Sequence, residues 1–163
     1  MLVKQWLYLN SLKPAAELDG ASNLMSQFVY GSSACAPDYV RRGTAVYRLI
    51  SDNRHSPRRA LNVTNASDTP LSVSYSAFGK GIGNGMDWAP FGFAGGIHDT
   101  DTGLVRFGGR DYDPSIGRWI TKDPSRHQGG VNLFVYASND PVNLLDPSGR
   151  GDQGFWGGRC CQL

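Results

Sequence analysis

The sequence predicts an all-β fold made of successive β-hairpins. Apolar and polar residues alternate with a period of two, rather than 3.6, in most segments. Gly, Pro, Asn, Ser and Asp gather between the short apolar runs, as they do in chains with many turns. A length of 163 residues allows one domain with a core and is short for two.

Two similar segments form the first half of the chain. In one, four residues occupy one face of a strand: Leu24, Ser26, Phe28 and Tyr30. In the other, apolar residues alternate with serines: Leu71, Val73 and Tyr75. A turn precedes each, AAELDGASN and ALNVTNASDTP, and Asp19-Gly20 is a strong hairpin signal because Gly accepts positive φ. The recurrence indicates a weak internal repeat of roughly fifty residues.

Two further hairpins are predicted in IHDTDTGLVRFGGRDYDPSIGRWITKDP, with turns at residues 101–103 and 113–117. Before them, Gly-rich sequence around Trp88, Phe91 and Phe93 predicts a crossover that packs aromatics under a loop, and GIGNG (81–85) predicts a flexible loop. A helical turn fits only at 131–137 and near Asn143. Taken as a strand, residues 131–136 would instead lead away from Asp123.

Composition excludes several functional classes. A net charge of +2 does not indicate binding to nucleic acid or an anionic membrane, and Arg54, Arg58 and Arg59 are expected in a solvated turn. The three cysteines (Cys35, Cys160, Cys161) and three histidines (His55, His98, His127) lack metal-ligand spacing, so no cofactor or metal is predicted. No signal peptide or membrane-spanning run is evident, and the isolated chain is expected in the cytoplasm. Aromatics such as Trp6, Tyr8, Trp88 and Trp119 are expected to pack in the core rather than stack on sugars.

The C-terminal half resembles a known family. The stretch PFGFAGGIHDTDTGLVRFGGRDYDPSIGRWITKDP, followed by GGVNLFVYASNDPVNLLDPSGR, is similar to the RHS repeat-associated core domain of bacterial RHS/YD-repeat proteins. Upstream, LKPAAELDGASNLMSQFVYG and VYRLISDNRHSPR resemble the YD-type repeats that precede that core. The resemblance implies YD-type strands at 1–89, the core domain at 90–150, and a short tail at 151–163, which is expected to be disordered.

The family implies a spiralling β-sheet that forms a hollow shell around a C-terminal toxin or other cargo, with the core domain as a plug. In self-processing members an aspartate pair in two DPxG motifs cuts the chain after the second motif. Carried over, the pair is Asp123 and Asp146, and the scissile bond is Arg150–Gly151. This chain departs from the pattern at Arg126, where Gly is usual, and at Arg150, where Leu is usual.

The three Asp-Pro dipeptides also have a purely structural interpretation, because Asp caps turn amides and Pro presets φ. Asp113 and Asp140 are assigned to turns. For the other two, shared protonation of close carboxylates would allow one to activate water and the other to protonate the leaving amine. Their carboxyl groups are then expected within about 8 Å. Burial under Trp119, Phe134 and Tyr136, with Lys122 or Arg118 nearby, is expected to tune them.

Two functions stay open at this point. One is a structural shell and plug segment, a truncated remnant without toxin or enzyme activity. The other is an intramolecular aspartyl protease that cuts once after Arg150. The expected partners are the rest of an RHS shell or its cargo, with self-association through open sheet edges. In the wider family the location is secreted or at the cell surface.

Overall fold

The computed structural model describes residues 4–10, 13–32, 35–82, 89–124, 132–151 and 153–154. Across these residues the regular structure is antiparallel β-sheet with two short 3-10 turns, at Phe93–Gly95 and Ala137–Asn139. The all-β prediction is confirmed. Five residues discussed above from the sequence lie outside the described residues, as does nearly all of the tail: Trp88, Arg126, His127, Cys160 and Cys161.

The first seven strands form one antiparallel meander in which each strand pairs with the next. They are β1 Lys4–Tyr8, β2 Pro14–Asp19, β3 Leu24–Val29, β4 Tyr39–Arg42, β5 Ala45–Ser51, β6 Pro57–Asn62 and β7 Leu71–Ser72. In β3 the predicted alternation places Ser26 and Phe28 in the interior, but Leu24 is 55% exposed beside the turn. One face of the sheet is therefore packed against the interior.

The hairpin between β2 and β3 turns at the predicted place for a different reason. Asp19 accepts main-chain hydrogen bonds from Ala21 (2.9 Å) and Asn23 (2.8 Å). The positive φ of 68° belongs to Ser22, and Gly20 is not among the residues with positive φ. The expectation that Gly20 supplies the left-handed position was wrong, because the Asp19 side chain organises the turn.

The predicted strand through Leu71, Val73 and Tyr75 divides between two sheets. Leu71–Ser72 closes the meander as β7, while β8 (Ser74–Tyr75) pairs with β9 (Gly81–Ile82). The alternation survives, since Val73 is buried between exposed serines. Residues 81–82 are a strand, contrary to the expected flexible loop, which otherwise lies outside the described residues.

A four-stranded sheet comes next in the chain, and both hairpins predicted in it are confirmed. Its strands are β10 Ile97–His98, β11 Val105–Phe107, β12 Arg110–Asp113 and β13 Arg118–Trp119. Gly103 (φ 73°) and Gly117 (φ 69°) supply the left-handed positions of the two turns. Strands β14 (Leu144–Leu145) and β15 (Gln153–Gly154) pair beyond this sheet.

Residues 132–136 do not form the expected strand. They make turns and one isolated bridge, between Val135 and Arg118. The helical turn begins at Ala137, where the expected segment ended, and residues near Asn143 form a plain turn. Local sequence could not distinguish these states because the segment is positioned by the aromatic core beneath it.

Two clusters of buried side chains support the sheets. Phe91 joins Phe28 and Val40 under the meander. A larger aromatic cluster lies under the four-stranded sheet and is formed mainly by Phe93, Phe107, Tyr112, Trp119 and Tyr136. Ring centroids in this cluster are 4.6 to 6.1 Å apart, and such pairs add about 0.5–1.5 kcal/mol each beyond area burial.

The cluster of Arg54, Arg58 and Arg59, expected in a solvated turn, instead connects the seven-stranded meander to later parts of the chain. Arg54 donates to the carbonyl of Pro141 at 3.1 Å, and Arg58 pairs with Asp52 at 2.8 Å while it lies over the Tyr75 ring. Only Arg59 is exposed. Within the described residues, the structure contains no helix long and apolar enough to cross a membrane.

We predict that Gly96→Ala destabilises the protein by about 1–3 kcal/mol through overpacking. A Cβ at Gly96 would lie 2.5 Å from Val105 and 2.7 Å from Phe107, inside the core. Gly109→Ala is the matched control, because its Cβ meets nothing within 4 Å. Urea denaturation should separate the two variants, and equal losses would contradict this account of the core.

Candidate functional site

Asp123 and Asp146 come from two different loops and are both buried. Asp123 lies beyond β13, and its main-chain N–H donates to the carbonyl of Leu133 at 3.1 Å. Asp146 comes directly after β14. The exposed fractions are 6% for Asp123 and 1% for Asp146, which is unusual for carboxylates without a partner.

The partner is the guanidinium of Arg110. Its Nη2 atom lies 2.9 Å from Oδ2 of Asp123 and 2.9 Å from Oδ2 of Asp146. The two oxygens are therefore no more than about 5.8 Å apart, twice 2.9 Å. The structure thus brings the predicted pair together, within the expected distance of about 8 Å, and a single cation joins the two carboxylates.

Strand alternation explains why Arg110 lies inside. In β12, Arg110 and Tyr112 share the buried face, while Asp111 lies on the other face. The Arg110 guanidinium stacks over the Trp119 ring, 4.0 Å from its centroid. On the opposite face Arg106 and Asp111 make a second pair at 2.7 Å, whose arginine is 57% exposed. The β11–β12 hairpin therefore contributes Arg110 to buried ion pairs on one face and Arg106 to an exposed ion pair on the other.

The Asp146 carboxylate also organises the segment that would be cut. Its Oδ1 accepts from the Arg150 N–H (3.0 Å) and the Ser148 hydroxyl (3.2 Å). Its Oδ2 accepts from the Gly151 N–H at 3.1 Å. Gly151 supplies the nitrogen of the predicted scissile bond, so one carboxylate oxygen contacts both that nitrogen and Arg110.

Gly149 lets this loop approach the ion pairs closely. Its φ is 68°, and a Cβ there would lie 2.6 Å from the Phe107 carbonyl oxygen and 3.2 Å from Cβ of Arg110. An L residue would be strained by its backbone and blocked by its neighbours. The Arg150 side chain is exposed, so the loop is positioned by its main chain rather than by the residue before the bond.

Burial raises the pKa of the Asp146 carboxyl, and the hydrogen bond from Gly151 and the charge of Arg110 oppose part of the rise. Burial also raises the pKa of Tyr136 far above its ordinary value, so its hydroxyl stays neutral. By contrast, a hydrogen bond from the Ser115 hydroxyl lowers the pKa of Asp113 in its exposed turn. The pKa of Asp146 in the site is therefore shifted upward, whereas that of Asp113 in its turn is shifted downward.

The remaining predicted residues fall into two groups. Trp119 and Tyr136 are buried in the aromatic cluster that covers the site, and Phe134 is half-buried. Lys122 and Arg118 are exposed and do not supply the charge expected of them: Arg118 lies on the outer face of β13, and Lys122 lies beyond that strand. That charge comes from Arg110, which sequence reasoning missed. The local sequence indicates its burial only in that Arg110 stands two positions before Tyr112 in RDYD and so shares the same face of the strand.

Asp113 and Asp140 are turn residues, as predicted. Asp113 accepts from the Ser115 N–H at 2.8 Å, and Asp140 accepts from the Asn143 N–H at 3.3 Å. Across the described part of the chain, no group of three or more His, Cys, Asp or Glu side chains is arranged to hold a metal ion.

Several buried polar atoms around the pair lack a hydrogen-bond partner among the described residues. They are Nε and Nη1 of Arg110, Nε1 of Trp119 and the hydroxyl of Tyr136. Unsatisfied buried donors are costly unless something else fills their bonding capacity, such as a bound water or a polarised carbonyl. Two of the four atoms belong to Arg110, the residue that joins the two carboxylates.

We predict that Arg110→Leu destabilises the protein by about 3–5 kcal/mol, because it leaves two buried carboxylates uncompensated. Arg106→Leu removes the exposed pair of the same hairpin and should cost less than about 1 kcal/mol. Chemical denaturation measures both free energies of unfolding. Similar losses in the two variants would show that burial of the Arg110 pairs carries no special energetic weight.

We predict that Asp146 titrates above the ordinary aspartate pKa of about 3.9 and that Asp113 titrates below it. Because the folded-state pKa of Asp146 is raised, its contribution to stability is greatest below about pH 4 and is lost as pH rises through the raised value. Carboxyl ¹³C shifts followed against pH give both midpoints, with Asp146→Asn identifying the resonance. An Asp146 midpoint at or below that of Asp113 would contradict the role assigned to burial.

Comparison with known proteins agrees with this architecture. The teneurin YD-shell family matches residues 2–142. The chain is 32% identical over 123 residues to double-stranded DNA deaminase toxin A of Burkholderia cenocepacia, a match that covers 72% of this chain and 8% of that protein. It is 35% identical over 111 residues to teneurin-3 of Danio rerio, covering 61% of this chain and 4% of the relative.

Among solved structures, the Photorhabdus luminescens Tc holotoxin pore matches with a TM-score of 0.59 at 17% identity, over 90% of this chain and 9% of the matched chain. A TcdB2-TccC3 fusion structure matches with a TM-score of 0.56 at 19% identity, with the same coverage. At these identities the likeness concerns the fold. The chain spans less than a tenth of the length of each of these proteins. Because the family match covers most of its residues, the chain belongs to the teneurin YD-shell family and is a structural shell segment of an RHS/YD-repeat protein.

Proposed function

We propose that this shell segment ends in an intramolecular aspartyl protease site that cuts the chain once, between Arg150 and Gly151. One observation carries the proposal: the Gly151 N–H donates to Asp146 Oδ2, and that oxygen shares Arg110 Nη2 with Asp123. The Gly151 nitrogen thus contacts one carboxylate directly, and Arg110 joins that carboxylate to the second. The reaction needs only water in addition.

The proposed chemistry assigns a role to each carboxylate. Asp123 accepts a proton from a water molecule, whose oxygen adds to the carbonyl carbon of Arg150. The planar amide nitrogen of Gly151 becomes basic once that carbon is tetrahedral. Asp146, whose pKa is raised by burial, then gives its proton to this nitrogen as the C–N bond breaks. The products are a carboxylate at Arg150 and an amine at Gly151.

Arg110 would balance the negative charge of this site. With Asp146 protonated, Asp123 ionised and Arg110 positive, the buried group of three has no net charge. The desolvation that raises the Asp146 pKa favours this state over two ionised carboxylates. A shared proton is the working state of other paired-carboxylate sites.

In the family setting, the cut would separate the shell from the downstream part of the chain. The chain resembles proteins whose names include a deaminase toxin and toxin subunits. We therefore propose that this segment belongs to a shell that encloses a toxin or similar cargo, and that the cargo lies downstream of Gly151. The assignment of residues 90–150 to a core plug belongs to the same proposal.

A purely structural role is the second candidate, and one observation favours it. Both oxygens of Asp146 are engaged, by Arg150, Ser148, Gly151 and Arg110, as in a carboxylate that only caps a turn and an ion pair. On this hypothesis the site locks the end of the sheet and cuts nothing. The two candidates differ in a single covalent bond.

Intact mass spectrometry of the purified chain separates the candidates. We expect a product that ends at Arg150 and a peptide of residues 151–163. Asp123→Asn and Asp146→Asn should stay whole, because each removes one carboxylate with little change of shape. Asp113→Asn and Asp140→Asn alter the other Asp-Pro dipeptides and should be cut like the parent. A whole parent chain would support the structural role, and whole controls would show that folding, not the pair, had been tested.

The meander also has an open edge, from which we propose that further shell strands pair with β1. Among the described strands, β1 pairs on one side only, with β2, and its Leu7 is 52% exposed. Open edges join other chains when nothing covers them. The isolated chain should therefore self-associate in light scattering, and Leu7→Lys should reduce the associated fraction. A parent chain that stays monomeric at high concentration would count against this edge as a joining surface.

A further inference from the structure

The chain folds back across the bond that would be cut. Strand β14, just before Asp146, pairs antiparallel with β15, with Leu144 opposite Gly154 and Leu145 opposite Gln153. The Arg150–Gly151 bond lies in the loop between these strands. Cutting it would open the loop but leave the strand pairing in place, so the downstream segment has a second attachment that does not depend on the covalent bond.

The cut would also create a charge beside the carboxylates. The Gly151 nitrogen lies 3.1 Å from Asp146 Oδ2. As an amide it offers one hydrogen, but as a new N-terminus it becomes an ammonium with three, with an ordinary pKa of about 8. Charge-assisted hydrogen bonds are shorter and about twice as strong as neutral ones. The nitrogen should therefore be held more firmly after the cut than before it.

The charge balance favours the same outcome. Once Asp146 has given up its proton and Asp123 has passed the proton it took from water to the new amine, these three groups are two carboxylates and one guanidinium, a net charge of −1 in a buried position. The ammonium of Gly151 brings the net charge to zero. The new carboxylate of Arg150 is repelled by the same aspartates, while the Arg150 N–H still donates to Asp146 Oδ1. The two new ends should therefore behave differently.

We propose that Asp146 and Asp123 form a binding site for a free N-terminal ammonium, that of Gly151, and that this site keeps the downstream segment attached after the cut. The ligand class is a peptide with a free N-terminal amine, here that of Gly151, at which an added Cβ would meet nothing within 4 Å. The inference rests on the proposed function for the origin of the new N-terminus. Release of cargo then needs a second event besides cleavage.

The pH dependence is set by the groups that face the Gly151 nitrogen. Asp146 contacts it directly, with Asp123 and Arg110 beyond. Tyr136 is kept neutral by burial. Beyond Tyr136 lies Arg54, and on the far face of β12 Asp111 pairs with Arg106. The test follows the charge of the new ammonium, whose ordinary pKa is about 8.

The test uses the cut full-length chain under reducing conditions. Gel filtration with mass analysis at pH 6.5 should show residues 151–163 eluting with residues 1–150 in equal amounts. At pH 9.5 the dissociation constant should rise at least tenfold, because the ammonium has lost its proton. A labelled synthetic peptide of residues 151–163 should exchange into the complex, and the same peptide with an acetylated N-terminus should bind at least tenfold more weakly.

The outcomes for cutting and for retention are separable. If the parent chain stays whole, the proposed self-cleavage fails, and a full-length variant with the sequence ENLYFQ inserted between Arg150 and Gly151, cut by the tobacco etch virus protease, produces a chain that begins at Gly151 for the retention test. Loss of the peptide at pH 6.5, or equal binding of the acetylated peptide, overturns the ammonium site. In the uncut chain, amides at 144–145 and 153–154 that exchange as fast as in an unfolded peptide overturn the strand attachment as well.

Discussion

The buried guanidinium of Arg110 is the contact on which the C-terminal part of the structure depends. It is stacked on Trp119 and joins Asp123 to Asp146, two residues from separate loops. Without it, two carboxylates in an aromatic interior would repel each other and the loops that carry them. The same interaction therefore sets the fold of the two loops and the chemistry available between them.

The two faces of the β11–β12 hairpin carry ion pairs that differ in their exposure to solvent. Arg106 and Asp111 pair at 2.7 Å near solvent, where water and salt weaken the attraction. Arg110 pairs at 2.9 Å with carboxylates that are only 6% and 1% exposed, where salt and solvent screen the attraction much less.

The loop from Asp146 to Gly151 is positioned chiefly by main-chain contacts. Asp146 accepts from two main-chain N–H groups, and Gly149 fits between Phe107 and Arg110 only because it has no side chain. Beyond Gly151, the pairing of β15 with β14 fixes the other side of the loop.

The sequence by itself determined the all-β class and most hairpins, because alternation and turn residues such as Asp101 to Gly103 act over only a few positions. The aspartate pair and its bond came from family resemblance, and their catalytic role stays a prediction. Only the tertiary structure decided that Arg110 joins Asp123 and Asp146, that the Leu71–Tyr75 run divides between two sheets, and that residues 132–136 form turns. These features depend on contacts between residues far apart in the chain: Arg110 and Asp146 are 36 positions apart. Alternation can place a charge inside, but only packing in three dimensions determines which opposite charges meet it there.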